Sequence, residues 1–420
     1  MRILFFADNF KPETNAPATH IYERCRLWAS AGHEVTVVTC APNFPEGRVY
    51  PGYENRLRTV ETMDGIRVVR VKTYITANEG FVRRTLDYVS YVPSALFFAL
   101  REQRPDVVIS SSPQLFVAVA GVAYSMFRRV PHVFELRDLW PASILATSSI
   151  KPGRLYRMLE CLELFLYRRS RRVLSFTNAF REDLTSRGVP ENKIDVVVNG
   201  ASLDVFLPQE RRDAAIESQL GVRGRFVVGY LGTLGLAHGL ENVVHAAELV
   251  KDEPITFLFV GGGAARAGLE QAVSDRKLAN VILAPRVAKE VLPHYWSVCD
   301  ASLVHLKNDP LFASVIPSKI FESMAVGLPI VYVGPEGEGS QIVREHDAGI
   351  VLPAAEPRLL ADTVRRLAAD PALRSRLAAN SRAAAPLYSR ERQAERTLEV
   401  LQKAVNGAPR PFDGRVAETL

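Results

Sequence analysis

Two runs of alternating strand and helix patterns, divided by one turn-rich connector, constrain the fold of this 420-residue chain more than any other feature. Arg2–Ala7 is an apolar run of buried-strand length. Ala18–Ser30 has helical spacing with Ile21, Leu27 and Trp28 on one side, Gly32 stops it, and His33–Thr39 is the next strand, completing a βαβ unit. Short β-rich runs at Asp106–Ser110, His132–Glu135, Val173–Phe176 and Ile194–Val198 continue the series, with helices read at Gln114–Phe127 and Leu155–Arg168. The segment Asn199–Pro208 interrupts it. The alternation restarts with strands at Phe226–Leu231, Thr256–Val260, Val281–Ala284, Ala301–Val304 and Pro329–Val333. Helices are read at Gly239–Leu249 and around Phe321–Ala325, and Glu391–Val405 closes the series.

Strands separated by helices imply parallel sheets covered on both faces. The expectation is an α/β chain of two Rossmann-like doubly wound domains facing a central cleft, spanning residues 1–200 and 205–387. A helix at about 388–405 is expected to pack back on the first domain, with 407–420 a flexible tail. Ligands of such sheets bind outside the carboxyl ends of the strands.

Apolar residues make up 47% and charged residues 23%, a balance ordinary for a globular protein. The longest apolar runs, Leu115–Phe127 and Val92–Leu100, fall short of the roughly 18 residues of a spanning helix. The amino-terminal run leads into a polar loop and reads as a strand, not a signal peptide, so the expected compartment is the cytoplasm. Cys25, Cys40, Cys161 and Cys299 are scattered and suggest neither a metal site nor a disulfide framework. The net charge of +6 is uneven: residues 1–190 hold 26 Lys and Arg against 18 Asp and Glu, and residues 191–420 hold 26 against 28. A basic half attracts anions such as phosphates, acidic glycans or an anionic membrane face, although solvated surface charge explains the same count.

The densest motif is Pro317-Ser-Lys-Ile-Phe-Glu-Ser-Met-Ala-Val-Gly-Leu-Pro-Ile330. Ser318 and Lys319 fall in the first turn of a helix, where free N–H groups and the helix dipole favour an anion. Glu322, one turn further on, can accept hydrogen bonds from a ribose diol. A capped structural helix with an exposed Lys–Glu pair is the competing reading. Phe134-Glu-Leu-Arg-Asp-Leu-Trp-Pro141 is a second cluster at a strand end, and Asp8–His20 forms the loop after the first strand.

These segments resemble the retaining GT-B glycosyltransferases of family GT4, and more closely a WbuB-like subgroup associated with fucosaminyl transfer. The family signature is E-x7-E followed by Met-Ala, Gly and Pro. Glu322 matches the second glutamate, which the resemblance makes a ribose ligand. Ser314 stands where the first would be, and the Pro-Ser-Lys-x-x-Glu run is the subgroup's form. Gly229–Leu240 resembles the first strand and loop of the donor domain, with Gly232 letting a diphosphate approach the backbone. Thr233 and His238 replace the Arg and Lys of many members, leaving the charge to Lys319 and Arg286. Phe259–Gly263, including Gly262, resembles the strand end bordering the base and lacks a dinucleotide fingerprint. Asn199-Gly200, Asp204 and Phe206 match the family's connector.

The resemblance implies that Asp138, Arg137 and Lys319 are catalytic. It makes Gly232, Thr233, Gly262, Arg286, Ser318, Lys319 and Glu322 donor ligands, and Asn15, His20 and Glu135 acceptor ligands. The co-substrate would be a nucleotide-diphosphate sugar, with a uridine base and an N-acetylated deoxy-aminosugar as candidates. No cofactor or metal is expected. The acceptor would be a glycan, polyprenyl-linked or part of a surface polysaccharide such as O-antigen. Gly80–Arg104, with Arg83, Arg84, Arg101 and Arg104, and Leu155–Arg172, with Arg168 and Arg169, have the basic-aromatic make-up of helices that lie on anionic lipid. Core packing explains their apolar residues equally well. A sugar-nucleotide epimerase of the same fold and a noncatalytic nucleotide-sugar binding protein are the rival readings. No recognised motif favours nucleic acid.

Overall fold

The structure is a computed structural model that describes residues 1–76, 81–112, 114–142, 153–209 and 211–407. The chain forms two compact units. The first comprises Met1–Phe176, Asp183–Val197 and the chain from Ala394 onward; the second comprises Thr177–Glu182 and Val198–Gln393. Apart from Gly407, the tail expected at 407–420 lies outside the described residues.

The first sheet has the order β3-β4-β2-β1-β5-β6-β7-β8. Its strands are β1 (Arg2–Phe6), β2 (Glu34–Cys40), β3 (Arg58–Met63), β4 (Ile66–Val71), β5 (Val107–Ser111), β6 (His132–Leu136), β7 (Arg172–Ser175) and β8 (Ile194–Val196). Alternation along β1 explains its two-sided core. Ile3 and Phe5 face a cluster with Ile21 and Trp28 of helix α1 (Ala16–Ser30). Leu4 and Phe6 face one with Tyr91 and Ala95 of α2 (Phe81–Ala99) and Val117 and Tyr124 of α3 (Leu115–Arg128). Each buried Ile, Leu, Phe or Val among these contributes about 1.5–3 kcal/mol. Helix α4 (Arg154–Arg169) packs beside α3. The last helix, Arg390–Asn406, places Val400, Leu401 and Ala404 in the core beside Trp28, whose Nε1–H donates to the Ala394 carbonyl at 2.9 Å.

The first sheet is not wholly parallel, as the strand–helix alternation had implied. β3 and β4 pair antiparallel. They turn through Asp64 and Gly65, at φ 49° and 79°. Two successive positive φ values make the tight turn whose twist suits a hairpin, which is why Asp-Gly sits there.

The second sheet is parallel, in the order β11-β10-β9-β12-β13-β14. Its strands are β9 (Phe226–Leu231), β10 (Ile255–Val260), β11 (Val281–Ala284), β12 (Ala301–His305), β13 (Ile330–Val333) and β14 (Gly349–Leu352). Helix α5 (Asn178–Ser186) has its first turn in this unit, where the carboxylate of Glu338 accepts from the Ala179 N–H at 2.7 Å and the Asn178 amide at 3.1 Å. The parallel strand order reverses between β1 and β5 in the first sheet and between β9 and β12 in the second. Such reversals open the crevices in which doubly wound sheets hold ligands.

The connector is explained by packing. Asn199 Oδ1 accepts from Arg390 and from Gln393 Nε2, and Ala201 and Arg390 exchange backbone bonds with their opposite segments at 2.9 Å. A Cβ on Gly200 would lie 2.4 Å from the Tyr388 carbonyl oxygen, so only glycine fits.

Candidate active site

In the second unit the chain leaves β9 into a glycine loop and leaves β12 toward helix α6 (Ser318–Val326). Pro317 stands at the N-cap of α6 without a side-chain cap bond, so the first-turn N–H groups of Ser318 and Lys319 have no intrahelical acceptor. The α6 helix ends at Gly327, whose φ of 73° is the left-handed conformation that glycine adopts at a helix end. Lys319 is half-buried, its Nζ 4.7 Å from the centroid of the Tyr230 ring. Burial lowers the pKa of its ammonium, and the charge of Glu322 opposes that shift.

Gly232 sits under this ammonium. At φ 126° it adopts a backbone that side chains disfavour, and a Cβ there would lie 3.1 Å from Lys319 Cε. Its own N–H is committed within the unit: it donates to the Val260 carbonyl at 2.8 Å, and the Leu234 N–H donates to the Gly262 carbonyl at 2.9 Å. What Gly232 provides is room for Lys319. The Gly261–Gly263 triplet divides by the same test. A Cβ on Gly261 would meet the Gly232 oxygen at 1.9 Å and one on Gly263 the Leu234 oxygen at 2.4 Å. One on Gly262 would meet nothing nearer than Arg286 Cβ at 4.0 Å. Gly262 and exposed Arg286 therefore adjoin on the open side of this loop.

His238 does not replace a phosphate cation. Its Nδ1 accepts from the Gly235 N–H at 3.1 Å, which places the ring proton on Nε2. Burial and the nearby Lys319 charge push its pKa down to about 4, so it is neutral at pH 7. His305 donates from Nδ1 to the His238 carbonyl at 2.6 Å and is likewise held at about 4, chiefly by burial. Thr233 is exposed beside this turn, and its carbonyl accepts from the Tyr230 hydroxyl at 2.9 Å. Ser314 is half-buried.

In the first unit the crevice lies at the ends of β1, β5 and β6. Glu135 was expected to touch an acceptor, but it is fully buried, with 0% exposure, and is ion-paired to Arg24 and Arg137. Burial pushes its carboxyl pKa up, and the two arginines with the Ser111 hydroxyl outweigh that and hold it below the ordinary range. Arg137 donates from Nε to Glu135 at 2.7 Å and Ser111 Oγ at 2.8 Å, and its Nη1 makes a 3.4 Å bond to His20 Nδ1. Arg137 is thus oriented by Glu135. The Asn15 side chain is committed as the N-cap of α1, accepting from Ala18 N–H at 2.9 Å. His20 and Arg137 come together at the crevice, with Asp138 next in the chain. Trp140 and Pro141 follow, and residues 143–152 lie outside the description.

The sequence reading missed Arg24, Ser111, Ser112 and Tyr230. Arg24 carried a legible signal, since His20 and Arg24 are four apart and share a helix face. Ser111 and Ser112 carried no signal, as two small polar residues following the β-rich run Asp106–Ser110. Among the described residues no group of His, Cys, Asp or Glu could hold a metal ion, and no helix is long and apolar enough to cross a membrane.

Comparison with known proteins gives this geometry a family. Residues 15–200 match the family described as "Glycosyl transferase 4-like domain" and residues 212–384 that described as "Glycosyl transferases group 1". WcaI of Escherichia coli K12, named as a glycosyl transferase of colanic acid biosynthesis, is 27% identical over 78% of this chain and 82% of its own. WbjE of Pseudomonas aeruginosa, named as a glycosyltransferase, is 26% identical over 62% and 66%. Among solved structures, sucrose-phosphate synthase of Thermosynechococcus elongatus superposes with a TM-score of 0.74 at 18% identity, covering 96% of this chain and 98% of that one. HepE of Anabaena, solved with UDP-glucose, superposes at 0.72 and 18%, covering 96% and 100%. Two doubly wound units, matched in order by the two family domains along most of their length, make this chain a GT-B-fold glycosyltransferase of family GT4.

Proposed function

We propose that this glycosyltransferase uses a nucleotide-diphosphate sugar, with uridine as the base, and transfers the sugar with retention of configuration to a lipid-linked or surface-polysaccharide glycan. The observation that carries the donor reading is Lys319, a half-buried cation at an uncapped helix N-terminus directly over Gly232. In this reading the diphosphate lies against Ser318 and Lys319, beside Gly232, the exposed Thr233 and Arg286, with Gly262 leaving space for the nucleoside and Glu322 taking the ribose. Lys319 stabilises charge that grows on the leaving phosphate, while that phosphate takes the proton of the acceptor hydroxyl. The charge comes from the protein, so we propose a reaction without divalent metal or cofactor; unchanged turnover in EDTA is the expected result.

Arg137, His20 and Asp138 serve the acceptor and the transferred sugar, with Glu135 holding Arg137. Uridine is supported by the structural likeness to HepE, solved with UDP and with UDP-glucose. The Pro317–Glu322 run, with Ser314, supports the WbuB-like subgroup and an N-acetylated deoxy-aminosugar, and the names of WcaI and WbjE suit a surface glycan.

We also propose peripheral attachment to an anionic leaflet on the cytoplasmic side. Helices α2, α3 and α4 pack in series and expose Phe97, Phe127, Leu155, Met158 and Phe165 among Arg101, Arg129, Arg157, Arg168 and Arg169. Arg101 covers the Phe97 ring at 3.6 Å, and Arg169 lies 5.6 Å from Phe165. The Arg84 side chain and residues 77–80 lie outside the description.

The test is product analysis with a panel of UDP-sugars and polyprenyl-diphosphate-linked glycans. A new glycosidic bond with the donor's anomeric configuration is expected. Epimerised nucleotide sugar formed without acceptor, or an inverted product, contradicts the reading.

A further inference from the structure

Two nearly buried arginines meet at the crevice of the first unit. Arg24 and Arg137, 2% and 10% exposed, share the single carboxylate of Glu135. The charges that act on Arg137 are those of Glu135 and Arg24, one attractive and one repulsive. Burial pulls the guanidinium pKa of Arg137 down, the response of a cation without full compensation. Its Nε and Nη1 are committed, and Nη2 makes no hydrogen bond among the described residues.

A second feature adjoins this charge. Ser112 accepts the Arg137 N–H at 2.8 Å and donates its own N–H to the Glu135 carbonyl at 2.9 Å, which fixes the start of the β5–α3 loop against Arg137. Two residues on, Gln114 is the N-cap of the 14-residue helix α3 and makes no side-chain cap bond. Its side chain is 7% exposed, and neither its amide nitrogen nor its oxygen has a partner. A buried amide with no bond costs stability, and natural sequences retain such costs where function needs them. Leucine would be the better core residue there. The α3 N-terminus also carries no acidic residue in its first turn. All of this lies at the strand-order reversal between β1 and β5.

We propose that this crevice is an anion site for the acceptor, in which Arg137, Gln114 and the N-terminus of α3 receive a phosphate or diphosphate group that the acceptor carries. The assignment to the acceptor rests on the glycosyltransferase reading, in which the donor diphosphate occupies the second unit. Glu135 and Arg24 are positioning residues: they hold Arg137 at the crevice without touching the anion.

The test is calorimetric titration of the full-length protein, saturated with UDP, with inorganic pyrophosphate and with geranyl diphosphate at constant ionic strength. One equivalent of pyrophosphate is expected to bind, tenfold or more weaker in Gln114→Leu and undetectably in Arg137→Gln, with UDP affinity unchanged in both. Gln114→Leu is also expected to raise Tm in the absence of ligand, which keeps the result readable if Arg137→Gln does not fold. Tighter binding of geranyl diphosphate than of pyrophosphate assigns the anion to a lipid-linked acceptor, and equal binding to a water-soluble phosphorylated one. No binding beside UDP, or binding equal in wild type and Gln114→Leu, overturns the proposal. Failure of UDP itself to bind would instead strike the donor reading, so the two failures are distinct.

Discussion

Lys319 and Gly232 work as one unit, because the ammonium occupies the space that a Cβ on residue 232 would take. Lys319→Ala is expected to lower kcat by about 10²-fold or more, the scale of one lost preorganised charge stabiliser. Initial rates at saturating donor check this, and near-wild-type turnover would remove Lys319 from the mechanism. Gly232→Ala keeps the lysine but strains the backbone and shifts the ammonium end of the Lys319 side chain. UDP binding is expected to weaken about tenfold, or about 1.4 kcal/mol, read by titration calorimetry. The chemistry of Lys319 was legible in the sequence, because a helix start, a lysine and a following glutamate form a local pattern. The role of Gly232 was not legible, because it depends on a residue 87 positions away that only the fold brings over it. Glu135 misled for the same reason: a carboxylate at a strand end looks available until Arg24 is placed against it.

At the scale of elements, the loop after β10 offers a contrast between glycines that share one motif. Gly261→Ala and Gly263→Ala press a Cβ into backbone carbonyls. Each is expected to lower Tm by several degrees, at about 2–4 °C per kcal/mol for a unit of this size. Gly262→Ala meets nothing closer than an ordinary contact with Arg286 Cβ at 4.0 Å and is expected to leave Tm unchanged while weakening UDP binding. Thermal melts with and without UDP separate the two classes. Equal destabilisation by all three changes would mean that Gly262 has only a structural role. Long periodic elements were readable from spacing to within two residues, as for α1 and β9. The β3–β4 hairpin was missed although Asp64-Gly65 signals it, since its edge strand is largely exposed and shows no apolar run.

At the scale of the whole molecule, three histidines are held neutral inside it. His132 lies between the hydroxyls of Ser110 and Ser170, and burial holds its pKa at about 3; His238 and His305 sit at about 4. Each binds its proton more readily when unfolded, near pH 6.5. Stability is therefore full above about pH 6.5 and falls as pH drops toward 4, by about 1.4 kcal/mol per pH unit for each histidine. Glu135, held low, adds to the loss in acid; Glu13 and Glu163, raised by burial, oppose it. Melts between pH 7 and 4 should show Tm falling across this window, with a shallower slope in His305→Gln. Loss of anionic-vesicle binding on Arg168→Ala/Arg169→Ala is the expected result, and no binding by wild type would refute attachment.

In the function proposed above, the second unit holds a nucleoside diphosphate through Lys319 and Glu322. Its most direct test is a thermal-shift titration of the purified protein with UDP, GDP, ADP and NAD, repeated with Glu322→Ala. Stabilisation by UDP, lost in the variant, is the expected result. No shift with any diphosphate, or a shift with NAD alone, would contradict it.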